Sequence, residues 1–153
     1  MSIDEIIVTN SARKILEKHG ILPSQWKLPE DVAKQIFDSG IRIVVMFSPA
    51  SKMNLPHHGY ENLIVIDVSF LEQKVITEKM QVGIILHEIG HILNPAPCGE
   101  NADYTEALKY GSPFEEEVCA DEFATLCRYG DHFASALKVF RERGAYGFDS
   151  DTV

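Results

Sequence analysis

Cysteine is scarce in this 153-residue sequence: three residues, at positions 98, 119 and 127, none of them in a CxxC spacing. An odd count without close pairs argues against a disulfide framework, so the sequence predicts reduced, mostly packing thiols in a cytoplasmic protein. Basic residues are also few, 14 against 23 acidic ones, for a formal charge of -9. That excess of acid argues against direct nucleic-acid binding, which normally shows a basic patch. Long apolar runs are missing: no stretch approaches the ~18 residues of a membrane span, and no membrane partner is expected. The start, MSIDEIIVTNSARK, lacks the basic-then-apolar order of a secretion signal. No internal repeat or low-complexity tract interrupts the chain.

What is present is the composition of one globular domain, with 45% hydrophobic residues and length enough for one core. A single domain over residues 1–153 is expected, of α+β class. Ser2 and Glu5 have capping-box spacing, and a helix from Ile3 to Lys18 fits, with Gly20 just past its end. The segment PEDVAKQIFDSG opens on a proline at a first-turn position, closes on Gly40 and carries one apolar stripe, so it reads as a second helix. Ile41 to Phe47 is rich in β-branched residues and reads as a strand. A polar loop follows, with room for a hidden strand between residues 48 and 61, and His57 and His58 are expected to be exposed there. Asn62 to Phe70 alternates as a second strand, with Ile64, Ile66, Val68 and Phe70 on one face. A long helix is predicted from Glu72 to Leu93, apolar nearly all round in its second half and therefore buried. Ser112 and Glu115 form another capping box, opening a helix to about Tyr129, and a last amphipathic helix spans Asp131 to Arg143. Trp26 is expected to anchor a core or an interface.

The chemistry concentrates in GIILHEIGHIL, Gly83 to Leu93. Two imidazoles and a carboxylate in an apolar helix cost free energy unless something satisfies them. On a helix His87 and His91 lie one turn apart on one face and can converge on one ion, while Glu88 is turned about 100° away and can reach a water on that ion. Coordination repays the burial, so one zinc ion per chain is expected. Gly90 costs ~1 kcal/mol relative to alanine in a helix, which a close approach of another backbone would explain. A catalytic zinc uses three protein ligands and one open position, and the third can be His, Asp, Glu or Cys. The best candidate segment is EEEVCADEFA. Its Glu117, Ala120, Asp121 and Ala124 form one helical stripe. The alanines would allow close packing, Glu117 would bind the ion, and Asp121 would hold a ligand histidine by its other ring nitrogen.

His87–Glu88–Ile89–Gly90–His91 followed by Glu117–Val118–Cys119–Ala120–Asp121 resembles the HExxH…ExxAD signature of gluzincin-type metallopeptidases. With its short chain, preceding strand and DEFA segment, the sequence looks most like the ImmA/IrrE group over residues 41–129. The resemblance implies a minimal zincin-like domain, a small sheet packed on the HExxH helix with further helices around it. It implies His87, His91 and Glu117 as zinc ligands, Glu88 as catalytic base and Asp121 as the orienting carboxylate. It also implies an endopeptidase acting on a specific intracellular protein, since members of that group cleave repressor proteins. The chain departs from the group in having no room for a helix-turn-helix or sensor domain. It also reads CAD where EAN or EAD is usual.

Other readings of the same residues differ in one feature each. A peptide deformylase would place its third ligand on a cysteine upstream of the helix, and no cysteine precedes residue 98. A structural zinc site would be closed by a fourth ligand, for which Cys98 is the candidate. A catalytically silent, partner-binding module would lack the base, and Glu88 is present. Tyr129 and His132 follow the third ligand at a distance that suits an oxyanion stabiliser. The strand Leu63 to Val68, if it lies at the sheet edge, would pair with an extended peptide substrate.

Overall fold

The computed structural model describes residues 3–46, 57–58, 63–67, 71–72, 74–94 and 112–143. Six α-helices and a small sheet follow one another: α1 Ile3–Ile7, α2 Asn10–Lys18, a 3-10 turn Pro23–Gln25, α3 Glu30–Asp38, β1 Arg42–Met46, β2 His57–His58, β3 Leu63–Asp67, α4 Glu78–Leu93, α5 Ser112–Leu126 and α6 Gly130–Arg143. The class is mixed helix and sheet, as expected for α+β. No helix among the described residues is long and apolar enough to cross a membrane.

The single N-terminal helix predicted over Ile3 to Lys18 is in fact two. Val8 makes an isolated parallel bridge to Ile43, and the Thr9 amide donates to the Ile43 carbonyl at 3.2 Å. The β-branched pair Val8–Thr9 is thus drawn onto the first strand, and Thr9, extended at φ -66 and ψ 157, restarts the helix as its cap. A tertiary contact overrides a local helical pattern here. The second helix starts one residue later than its proline suggests, with Pro29 as the residue before it.

The sheet order is β1-β3-β2. β1 and β3 run parallel with Ile43 opposite Ile64 and Val45 opposite Ile66, so the buried isoleucines Ile43, Ile64 and Ile66 share one face against the core. β2 pairs antiparallel to β3 through His57 and His58, which supplies the strand that had room in the 48–61 segment. Of the two positions open to β3, edge or interior, the structure has the interior one: it is paired with β1 on one side and β2 on the other, so the condition for pairing with a substrate is not met. Its predicted residues Val68 to Phe70 lie outside the described residues, as do the side chains of His57 and His58.

α4 begins at Glu78, six residues later than predicted, because Thr77 caps it by accepting from the Met80 amide at 3.2 Å. The segment before it serves instead to satisfy the helix, with the Leu71 carbonyl accepting from Gln81 Nε2 at 3.0 Å. From Gln81 to His87, and again at Ile89 and Gly90, every α4 residue is buried. The helix packs on α5 and α6 and meets the sheet through β2 and β3. Trp26 is a core anchor, 1% exposed, with its indole N–H donating to the Ile21 carbonyl at 2.9 Å.

The thiol expectation is also corrected. Cys119 is disulfide-bonded, whereas Cys127 is a free, buried thiol whose pKa burial pushes up to about 12. An odd count without close pairs does not exclude a single disulfide. Cys98 lies outside the described residues.

Candidate metal centre

α4 and α5 build the site together. On α4, the side chains of His87 and His91 stand one turn apart with ring centroids 4.8 Å from each other and planes at 88°. On α5, Glu117 and Asp121 are likewise one turn apart and face them. Glu117 places Oε2 3.0 Å from His87 Nε2 and Oε1 3.1 Å from His91 Nε2. Asp121 Oδ1 lies 2.9 Å from His87 Nδ1, close, though too bent for a regular hydrogen bond. The four residues singled out on the two helices are therefore brought together.

Close packing makes this convergence possible. A Cβ on Gly90 would stand 2.9 Å from Phe123 Cβ and 3.0 Å from both Cα and the carbonyl oxygen of Ala120. The helical glycine thus has its reason: α5 crosses there, and Ala120 and Ala124 are fully buried at the crossing. Asn94, at the end of α4, adds a clasp by donating from Nδ2 to the Cys119 carbonyl at 2.7 Å. Seven residues before Gly90, Gly83 does the same for α6, where an added Cβ would meet the Phe133 amide nitrogen at 3.0 Å.

Phe133 completes the wall. Its ring stacks on His87 with centroids 4.2 Å apart and planes at 14°. Sequence reasoning missed this residue, because an apolar residue in an amphipathic helix reads only as core. Asn94 was missed as well, being read only as a helix stop.

The charges are strongly coupled. Burial pulls the His87 pKa down, but the contacts to Asp121 and Glu117 outweigh it and hold the group at about 9. Both of its ring nitrogens face carboxylates, which suits an imidazolium. Hydrogen bonds from His87 and His91 hold the Glu117 carboxyl far below the usual carboxylate range, against the smaller opposing effect of burial. A cation of either kind, proton or metal, is thus strongly favoured among these groups.

His87, Glu88 and His91 each offer a ligand atom within 4.8 Å of the others, and this group can hold a metal ion. The donor set fits one: two largely buried imidazoles and nearby carboxylates that remain open to solvent, with no lysine or arginine in ion-pair contact with them among the described residues.

Tyr129 and His132 do not join the site. The Tyr129 hydroxyl donates to the Trp26 carbonyl at 2.7 Å, and both residues line a cavity shared with Lys79. Lys79 is eight residues before His87, about 12 Å along the helix. The turn that ends α5 at Leu126, three residues earlier than predicted, carries them to that far end. These contacts agree with the plainer view of the two as polar residues at a helix end.

Compared with protein-family models, curated proteins and solved structures, the chain finds no match. What the fold and site define is a class: a mixed α+β domain whose central helix carries a group able to bind a metal ion.

Proposed function

We propose that the chain is a zinc-dependent endopeptidase of minimal zincin-like architecture, with His87, His91 and Glu117 as ligands of one zinc ion and Glu88 as general base. The observation that carries this reading is the Glu117 carboxylate, which reaches the Nε2 atoms of both histidines at 3.0 and 3.1 Å. Ligands at zinc bond lengths of ~2.0–2.1 Å lie about 3.3 Å apart along a tetrahedral edge. The two carboxylate–imidazole distances, each to its own Glu117 oxygen, are of that order and support the reading. Glu88 also lies within ligand reach of the two histidines; the base's role falls to it because Glu117 meets both imidazoles.

Each residue then has a task. The imidazoles would hold the ion through Nε2, and Asp121, 2.9 Å from His87 Nδ1, is the carboxylate that would orient that ring. Three protein ligands keep a fourth position for the reaction. When bound, zinc supplies Lewis acidity that polarises a peptide carbonyl and makes water a better nucleophile at neutral pH. The Glu88 carboxylate takes the attacking water's proton and afterwards delivers it to the leaving nitrogen. Phe133 covers one face of His87 and keeps solvent from it.

The test is zinc content by elemental analysis, together with proteome-wide identification of peptides released by wild type but not by Glu88→Gln. One zinc per chain in both proteins, with cleavage only by wild type, is the expected result. A wild type that holds no metal overturns the proposal. Zinc-loaded wild type that cuts nothing in extracts of its natural host favours a partner-binding module instead.

A further inference from the structure

A second site lies at the other end of α4. A cavity of about 310 Å³ is lined, among the described residues, by eight side chains that include Lys27, Lys79, Arg128, His132 and Tyr129, and none of these eight is acidic. The chain as a whole has 23 acidic and 14 basic side chains, so a wall with three cations, a histidine and no carboxylate runs against the composition. Among the described residues none of the three cations forms an ion pair.

The backbone adds an independent sign. Among the described residues only two non-glycine residues have positive φ, Lys27 at 56° and Arg128 at 71°. Both are cations and both line this cavity. Arg128 occupies the left-handed position of a Schellman motif: its amide donates to the Thr125 carbonyl, and the Tyr129 amide donates to the Ala124 carbonyl, each at 2.9 Å. Glycine is the usual residue there, and α2 ends in the same motif with Gly20 at φ 73°. If folding alone set these positions, glycine would serve better. At both positions a long cation is kept at a conformational cost.

We propose that this cavity binds a small phosphate-bearing ligand. Three cations and an imidazole match a compact dianion, and the Arg128 fork suits two phosphate oxygens at once. The volume lies at the small end of ligand sites, which admits inorganic phosphate or a short phosphomonoester.

The experiment is titration of the full chain at low salt with inorganic phosphate, glycerol phosphate and succinate, followed by calorimetry and phosphorus NMR line broadening. Wild type binds one phosphate group per chain. Lys79→Ala and Arg128→Gly each weaken binding at least tenfold, and Arg128→Gly melts at the same or a higher temperature. Tighter binding of glycerol phosphate than of inorganic phosphate assigns an ester as the ligand; the reverse order assigns the free ion. No binding of either by wild type, or undiminished binding by Arg128→Gly and Lys79→Ala, overturns the proposal. So does equal affinity for succinate, which would show charge without phosphate recognition. Binding that survives in both variants but is lost in His91→Ala would place the phosphate at the histidines and overturn it too.

Discussion

At the C-terminal half of α4, His87 and His91 meet Glu117 and Asp121 from α5. At its N-terminal end, Lys79 faces a cavity with Lys27, Arg128 and His132 and, among the described residues, no acid. In the first region opposite charges are already matched, so the carboxylate and the imidazoles hold one another in place until a cation arrives between them. In the second, like charges share a wall, and among the described residues none of them is in an ion pair. A matched cluster prepares a ligand set, whereas an unmatched one prepares a docking surface for the missing sign. The same helix can serve both because its middle is apolar and fixed, buried without a break from Gln81 to His87.

The comparison breaks most sharply at the histidine end. His87→Ala, His91→Ala and Glu117→Ala should each abolish tight zinc binding, read as metal content after dialysis. Phosphate binding at the other end should be untouched. Glu88→Gln should keep zinc and stability while lowering peptide cleavage by ~10²–10⁴-fold, the usual worth of a general base. Full zinc occupancy in Glu117→Ala would move the third ligand to Asp121 or Glu88.

Asp121→Ala comes next. As an orienting partner of His87 it should weaken zinc affinity by ~10–100-fold without abolishing it, measured by competition with a chelator. Unchanged affinity would make Asp121 an ordinary exposed acid. Gly90→Ala tests the packing beneath both ligands. The added methyl meets Ala120 backbone at 3.0 Å, which a helix cannot yield easily, so ~1–3 kcal/mol of stability should be lost in urea denaturation.

The histidine end was legible in the sequence because its chemistry is local. The i, i+4 pair lies within one helix and the acid-alanine stripe within another, so periodicity put each set on one face, and the alanines suggested that the two faces meet. The glycine in HEIGH hinted at the crossing. The cation cavity was not legible, because Lys27, Lys79 and Arg128 come from three separate elements and meet only in the fold. The surroundings of Tyr129 and His132 were not legible for the same reason: order along the chain says nothing about which end of α4 a turn returns to. The break at Val8–Thr9 and the central position of β3 likewise depend on pairing partners far away in sequence. The cysteine misreading differs: an odd count without close pairs does not exclude a single disulfide, and Cys119 is in one.

A smaller effect concerns pH. In the metal-free protein His87 titrates at about 9, above its usual 6.5. The stability it contributes is therefore complete below about pH 6.5 and is lost as pH rises through 9. Glu117 is lowered instead, so its contribution is present above the usual carboxylate range and is lost as pH falls beneath it. Metal-free protein should accordingly be most stable in mildly acidic solution. Zinc uptake near pH 7 must displace the His87 proton, releasing about one proton that uptake near pH 10 does not release. Calorimetry in buffers of differing ionisation enthalpy measures the difference, and equal release at both pH values would mean that His87 is neutral before zinc arrives.

The smallest expected effect sharpens the comparison at the cation end. α2 and α5 finish in the same hydrogen-bonded motif, one with Gly20 and the other with Arg128 in the left-handed position. A Cβ on Gly20 would find ordinary contact distance, 3.4 Å to Glu78 Oε1, so Gly20→Ala meets backbone strain and little else. It should cost about 1 kcal/mol. Arg128→Gly runs the same substitution backwards and releases that strain. Part of the gain is offset by the greater freedom of glycine in the unfolded chain and by loss of the arginine stem's packing. Stability should therefore rise by a few tenths of a kcal/mol up to about 1 kcal/mol, read from paired thermal and urea melts. The two signs must be opposite if Arg128 sits where it does for its charge. An Arg128→Gly variant less stable than wild type by more than 1 kcal/mol would show that the fold itself depends on the arginine, and the contrast between the two helix ends would lose its meaning.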